Sequence, residues 1–145
     1  AVFTLAVELE QGVVVVEPGS FDLKGEAIVD WVRKNIPGKS ITYVVVSHHH
    51  SDHSGGVRPY VAAGASLVVH EAATKFYEDI LGRAKATIMP YALDRNPVKA
   101  NIITVSAEEP LRIDDNARPV TIYPVVSGHT TDMVIVGLEK QEILY

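Results

Sequence analysis

The sequence predicts an α+β domain in which sheets are covered by helices. Three observations carry this expectation. The chain opens on a hairpin of alternating residues, its middle alternates apolar β-branched runs with helical segments, and it closes on a series of short strands.

Taken in order, Phe3, Leu5, Val7 and Leu9 alternate with smaller or polar residues, which is strand periodicity, and Val13 to Val16 forms a second strand across a Gln11-Gly12 turn. Pro18-Gly19 breaks the pattern. Residues 24–35 read as a helix with Ile28, Val29, Trp31 and Val32 on one face, ended by Pro37-Gly38. The run Ile41 to Val46 is continuously apolar and β-branched, as in a strand covered on both faces. Residues 57–63 suggest a short helix with Pro59 in its first turn, Ser66 to His70 a strand, and 72–84 a helix carrying Phe76, Ile80 and Leu81 on one side. Residues 89–99, with two prolines and Asp94-Arg95-Asn96, read as a loop. Strands are expected at 102–105, 111–113, 119–126, 133–138 and 142–145. Trp31, Tyr91 and Tyr123 are expected in the core, and Asp22, Asp30 and Asp114-Asp115 as solvated turn or helix charges.

Composition narrows the function. At 145 residues and 47% apolar the chain suits one domain, residues 1–145, with a real core. A net charge of −5 without a Lys/Arg cluster disfavours nucleic acid as a partner. No cysteine is present, so disulfides, thiolate metal sites and a Cys nucleophile are excluded. No apolar run approaches the roughly 20 residues that span a bilayer, so no membrane partner is expected. The start, Ala1-Val2-Phe3, lacks both Met and the basic region of a signal peptide, and the compartment, cytoplasmic or bacterial periplasmic, stays open. The chain stops at Glu142-Ile143-Leu144-Tyr145, inside a strand-like stretch, so it is expected to be part of a longer protein.

The chemistry concentrates in Ser47-His48-His49-His50-Ser51-Asp52-His53-Ser54-Gly55-Gly56. If the preceding strand runs on to residue 50, its two-residue period puts His48 and His50 on one side and His49 on the other. Two such imidazoles can grip one ion, with Asp52 and His53 serving the same ion or a second one. His49 is expected to support the others or face solvent. Gly55-Gly56 is expected to let the backbone turn sharply. Imidazole and carboxylate without thiolate suit zinc, and also iron or manganese. A further ligand is needed, and His129, in the polar loop Ser127-Gly128-His129-Thr130-Thr131-Asp132, is the candidate; on pattern alone a lone loop histidine is more often an ordinary surface residue. Asp132 reads as a strand-entry residue, and His70 as a hydrogen-bonded histidine at a strand end.

His48-x-His50-x-Asp52-His53 followed by Gly-Gly resembles the HxHxDH motif of the metallo-β-lactamase superfamily, and Gly128-His129-Thr130 resembles its later Gly-His-Thr. The opening hairpin and the Glu17-Pro18-Gly19 turn are similar to that family's first strands. The resemblance implies an αββα sandwich, here truncated in its C-terminal half, with His48, His50 and His129 on a first metal and Asp52 and His53 on part of a second. It implies one or two Zn2+ ions and a metal-activated water that attacks an ester, thioester, lactone, β-lactam or phosphoester, with Asp52 as the catalytic carboxylate that orients the water or takes its proton. The bridging aspartate and last histidine that the family places after a strand like Ile143-Leu144-Tyr145 are not in the sequence, so weak activity or none is expected of these residues alone. A second copy, by strand exchange or edge pairing, is expected to cover exposed apolar surface. The partner of the site is a small-molecule substrate. A mononuclear-iron enzyme of sulfur or oxygen redox chemistry, a nucleic-acid-processing enzyme and a non-catalytic metal-binding domain are the competing readings.

Overall fold

The computed structural model describes residues 3–82 and 92–145. Its first sheet runs β1 (Leu5–Glu8), β2 (Val13–Val16), β3 (Ile41–Val45), β4 (Ser66–His70) and β5 (Ile102–Val105), in that spatial order. β1 and β2 form the expected antiparallel hairpin, whereas β2 to β5 are parallel. Parallel neighbours need crossovers. These are supplied by α1 (Asp22–Asn35), by α2 (Ser51–Ser54) with α3 (Arg58–Ala62), and by α4 (Thr74–Gly82) with α5 (Ala92–Arg95). The second sheet is an antiparallel series of β6 (Leu111–Ile113), β7 (Val120–Pro124), β8 (Val134–Leu138) and β9 (Ile143–Leu144).

Strand alternation sorts the core into two layers. Val13, Val15, Val44, Val46, Leu67 and Val69 face Val32, Tyr60, Tyr77 and Leu81 of the helices. Val14, Val16, Val45 and Val68 point the other way, onto Val120, Ile122, Val134 and Val136 of the second sheet. Every residue of β2 is buried because the strand sits between both layers, which is why its sequence is four consecutive valines. The described α-helices pack on the outer face of the first sheet and the second sheet packs on its inner face, so the described residues represent the expected αββα sandwich by an αββ arrangement. No described helix is long and apolar enough to cross a membrane.

Several details depart from expectation. Strand β3 ends at Val45, and residues 47–50 are bends instead of a continuing strand. The neighbouring β2 stops at Val16, and the pairing with β4 ends with Val46 N–H donating to the Val68 carbonyl at 3.1 Å, although β4 itself runs on to His70; beyond Val46 the chain bends away from it. Within the expected loop 89–99, residues 92–95 form the helical turn α5, anchored by Leu93 in the helix-side core; residues 89–91, and with them Tyr91, lie outside the described residues. Trp31 is exposed, because Val32 is the buried residue of that part of α1 and Ile28 and Val29 pack at its margin. Phe76 is exposed as well, since Tyr77 and Leu81 turn inward on α4. Tyr123 is only half-buried and donates its hydroxyl to Glu139. Asp22 is not solvated: it is 7% exposed at the start of α1, its Oδ1 4.0 Å from an Arg58 nitrogen. Asp30 is exposed and paired with Arg33. Asp115 organises a turn by accepting from the backbone of Glu10, Ala117 and Arg118.

Candidate metal centre

The parallel strands end at one edge of the first sheet, and the loops after β2 and β3 meet there with the loop before β8. His48, His50 and His129 converge at this edge. Their ligand-type nitrogens all lie within 4.8 Å of one another. His129 Nε2 is 3.2 Å from His48 Nε2 and 3.1 Å from His50 Nδ1. His48 and His50 reach each other through the bends of the loop, not through the side-sharing of a strand. His50 is extended (φ −60°, ψ 143°) and stands at the N-terminal boundary of α2, which sends its ring back beside His48.

His48 is 4% exposed. Burial, reinforced by the neighbouring rings of His53, His50 and His129, lowers its pKa to about 4. At neutral pH the ring is uncharged, and a lone pair is what a cation requires. The Ser47 hydroxyl lies 2.9 Å from His48 Nδ1, so Nε2 is the atom turned to the cluster.

Asp52 and His53 stand beside this trio. The Asp52 carboxylate is 65% exposed, and its Oδ2 is 3.4 Å from His53 Nε2. His53 Nδ1 donates to Glu17 Oε2 at 2.6 Å, which fixes the tautomer and leaves Nε2 facing Asp52. The two sequence-predicted candidates for a second ion are therefore adjacent to each other but lie outside the three-histidine cluster.

Glu17 was not among the expected site residues. It is 4% exposed, accepts the Ser47 backbone N–H at 3.1 Å, and holds His53. Its φ of 65° lies in the left-handed region, a conformation that costs a non-glycine residue on the order of 1–3 kcal/mol. A charged residue directly after four buried valines, at the strand end parallel to the one that precedes His48, was the available signal. Ser47, which touches both His48 and His53, was also missed.

His49 and Asp132 form a further pair. Asp132 is 3% exposed and accepts from the His49 backbone N–H and from its Nδ1, both at 2.9 Å, and from the Thr130 hydroxyl. Burial opposes ionisation of Asp132, but the Thr130 and His49 donors outweigh it and hold the carboxyl below the usual carboxylate range. Asp132 is thus more than a strand-entry residue, and His49, half-exposed, is tied to this buried carboxylate and lies outside the three-histidine cluster. His70 is placed as expected, its Nδ1 accepting the Ala72 N–H at the end of β4.

Gly55 and Gly56 lie in the expected turn, closed by Val57 N–H to the Ser54 carbonyl at 3.2 Å, and they serve a second purpose as well. Gly55 has ordinary right-handed geometry (φ −62°), but a Cβ there would sit 2.1 Å from the Ser20 carbonyl oxygen, and one on Gly56 would sit 2.6 Å from that of Pro18. The pair lets the loop after β2 lie directly on α2, locked by Gly56 N–H to the Gly19 carbonyl at 2.7 Å. An open cavity of about 370 Å³ adjoins His48 and His53, walled mainly by Phe3, Val16, Met133 and Ile135.

The comparisons with known proteins agree with this geometry. The family model described as the metallo-beta-lactamase superfamily matches residues 1–145. Among curated proteins no relative matches. Among solved structures the chain is similar to a metallo-beta-lactamase from Pontibacter korlensis (TM-score 0.73, 22% identity, covering 97% of this chain and 57% of that one). It is similar also to a metallo-beta-lactamase from Hirschia baltica (0.69, 21%, 97% and 56%). A third similar structure is of the peroxy diiron species of the chemotaxis sensor ODP (0.66, 18%, 100% and 55%). The chain therefore spans little more than half the length of these structures, and at such identities the likeness is one of fold. With the family model running through every residue, and with its histidines gathered at one edge of a two-sheet sandwich, the chain belongs to the metallo-beta-lactamase superfamily.

Proposed function

We propose that the protein is a metal-dependent hydrolase acting on a small molecule with an ester, thioester, lactone, β-lactam or phosphoester bond. The observation that carries this is the convergence of His48, His50 and His129 from loops far apart in sequence. The donor set fits a divalent cation: three imidazole nitrogens in mutual reach, no thiolate, and one ring held uncharged at neutral pH. Three protein ligands leave room for water or substrate, which distinguishes a reactive site from a closed structural one. When bound, zinc or a similar cation supplies a water whose pKa falls from 15.7 toward about 7, and it polarises the electrophile.

The chain's own residues do the rest. Asp52, exposed beside His53, is placed to accept a proton from the attacking water at Oδ2. His53, with Nδ1 committed to Glu17, offers only Nε2 toward Asp52, so these two residues supply part of a second cation site. Glu17 and Ser47 keep the rings of His53 and His48 oriented. The cavity beside His48 and His53 gives a small substrate apolar walls.

A second reading has support in the similarity to the chemotaxis sensor ODP, whose structure holds a diiron species. Nitrogen and carboxylate donors suit iron as well as zinc, and an iron-loaded protein would carry out redox chemistry instead of hydrolysis. Metal analysis of the protein as purified, with a panel of the five bond classes and an oxygen-uptake assay, separates the two. Zinc or manganese with metal-dependent hydrolysis supports the first reading. Iron with oxygen consumption and no hydrolysis overturns it.

A further inference from the structure

His49 lies between two of the three clustered imidazoles, and every polar group it has toward the protein is engaged. Its backbone N–H and Nδ1–H both donate to Asp132, and its carbonyl accepts the Ser54 hydroxyl at 2.8 Å. Asp132 in turn lies three positions after His129 and accepts from Thr130, the residue that follows it. The Val134 N–H donates to the Ser47 carbonyl at 2.8 Å and continues the same seam. No ring nitrogen of His49 belongs to the cluster, and among the described residues the hydrogen bonds and ion pair of Asp132 go to His49 and Thr130, not to the three rings. The seam nevertheless joins the two segments that carry them.

We propose that His49 and Asp132 form a latch that sets the distance between the His48/His50 pair and His129, so that metal affinity depends on this contact although neither residue is a ligand. The inference rests on the metal-site reading above. Its physical basis is preorganisation. His48 and His50 are local to one loop, but His129 arrives from another, and without a tie the loops must be ordered when the ion binds. A buried carboxylate that receives two N–H bonds from one residue and a hydroxyl from its own loop fixes both segments in advance. Groups that orient ligands in this way change metal affinity by about 10–100-fold when removed. His49 and Asp132 are therefore positioning residues.

The test measures the zinc dissociation constant of the protein by chelator competition, the cobalt absorption spectrum, and the melting temperature without metal. His49→Leu removes the Nδ1 donor from a side chain that is 41% exposed, so folding should survive. His49→Asn places an amide N–H where Nδ1 stood. The latch predicts about 10–100-fold weaker zinc binding and an altered cobalt spectrum in His49→Leu, with a metal-free protein that still melts cooperatively at a somewhat lower temperature, and near-complete recovery in His49→Asn. Asp132→Asn, which keeps a single acceptor oxygen for three donors, should weaken binding to a similar degree. Wild-type affinity in both His49→Leu and Asp132→Asn overturns the latch while leaving the metal site standing. A wild-type protein that takes up neither zinc nor cobalt overturns the metal site and the latch together.

Discussion

The Nε2 atoms of His48 and His129 lie 3.2 Å apart, although 81 positions separate the two residues in the chain. Local sequence cannot create that proximity. It follows from β3 and β8 belonging to the two facing sheets, with the Ser47 carbonyl bonded to the Val134 N–H where the strands end. The site is thus a product of the sandwich, and its stability and its chemistry are linked.

Glu17 is the first place where that link can be measured. Its carboxylate satisfies the Ser47 N–H and the His53 Nδ1–H from a buried position. Glu17→Ala leaves the Ser47 N–H without its acceptor, a loss of about 1–3 kcal/mol, and leaves His53 Nδ1 only the Ser47 hydroxyl at 3.3 Å. Urea unfolding should show a lower midpoint for Glu17→Ala and a smaller loss for Glu17→Gln, which keeps one acceptor. Equal stability of Glu17→Ala and wild type would remove the structural role assigned to this residue.

The glycines behind the histidine loop make a steric prediction. A methyl group on Gly25 would meet the Gly56 carbonyl oxygen at 2.3 Å, and one on Gly55 the Ser20 carbonyl oxygen at 2.1 Å. The obstacles are backbone and cannot step aside as side chains do. Gly25→Ala and Gly55→Ala should each destabilise the fold by at least about 2 kcal/mol, and Gly55→Ala should also weaken metal binding because α2 carries Asp52 and His53. Gly82→Ala, where nothing among the described residues lies within 4 Å, is the neutral control. Thermal melting of the three variants checks the ranking.

Asp22 predicts a pH dependence. Burial raises its pKa above the ordinary carboxylate value of 3.8, more than the nearby Arg58 charge lowers it. A raised folded-state pKa means that the native state binds the proton more tightly than the unfolded chain. Its contribution to stability is therefore full below pH 3.8 and is lost as pH rises through the folded pKa. Asp22→Asn, neutral at all pH values, should gain stability relative to wild type as pH rises from 3.5 to 7. Denaturation of both proteins across that range gives the sign; a wild-type advantage that grows with pH would contradict it.

Much of this was legible in the sequence, and the exceptions have physical causes. Four buried valines and the β-branched run at 41–46 declare their strands because parallel strands are covered on both faces, and the histidine motif declares its chemistry by composition. The spacing argument paired His48 with His50, and the structure brings their rings together, but through the bends at 47–50 and not along a continuing strand. Trp31 and Phe76 misled because size and hydrophobicity do not fix which side of a helix is inward; Val32 and Tyr77 took those places. Asp22 was read as a solvated charge, Asp132 as a strand-entry residue and Glu17 only as part of a turn, because burial of a carboxylate depends on partners that arrive from elsewhere in the chain. Among the described residues, long-range partners were the part of the site that a linear reading could not supply.

The central claim is that three imidazoles share one cation. Isothermal titration of the protein and of His129→Ala with zinc, with circular dichroism to confirm the fold, tests it most directly. The account predicts a tight site in wild type, and in His129→Ala an unchanged spectrum with affinity reduced by more than the roughly 10–100-fold that follows loss of a supporting residue. Equal zinc affinity in the two proteins would contradict it.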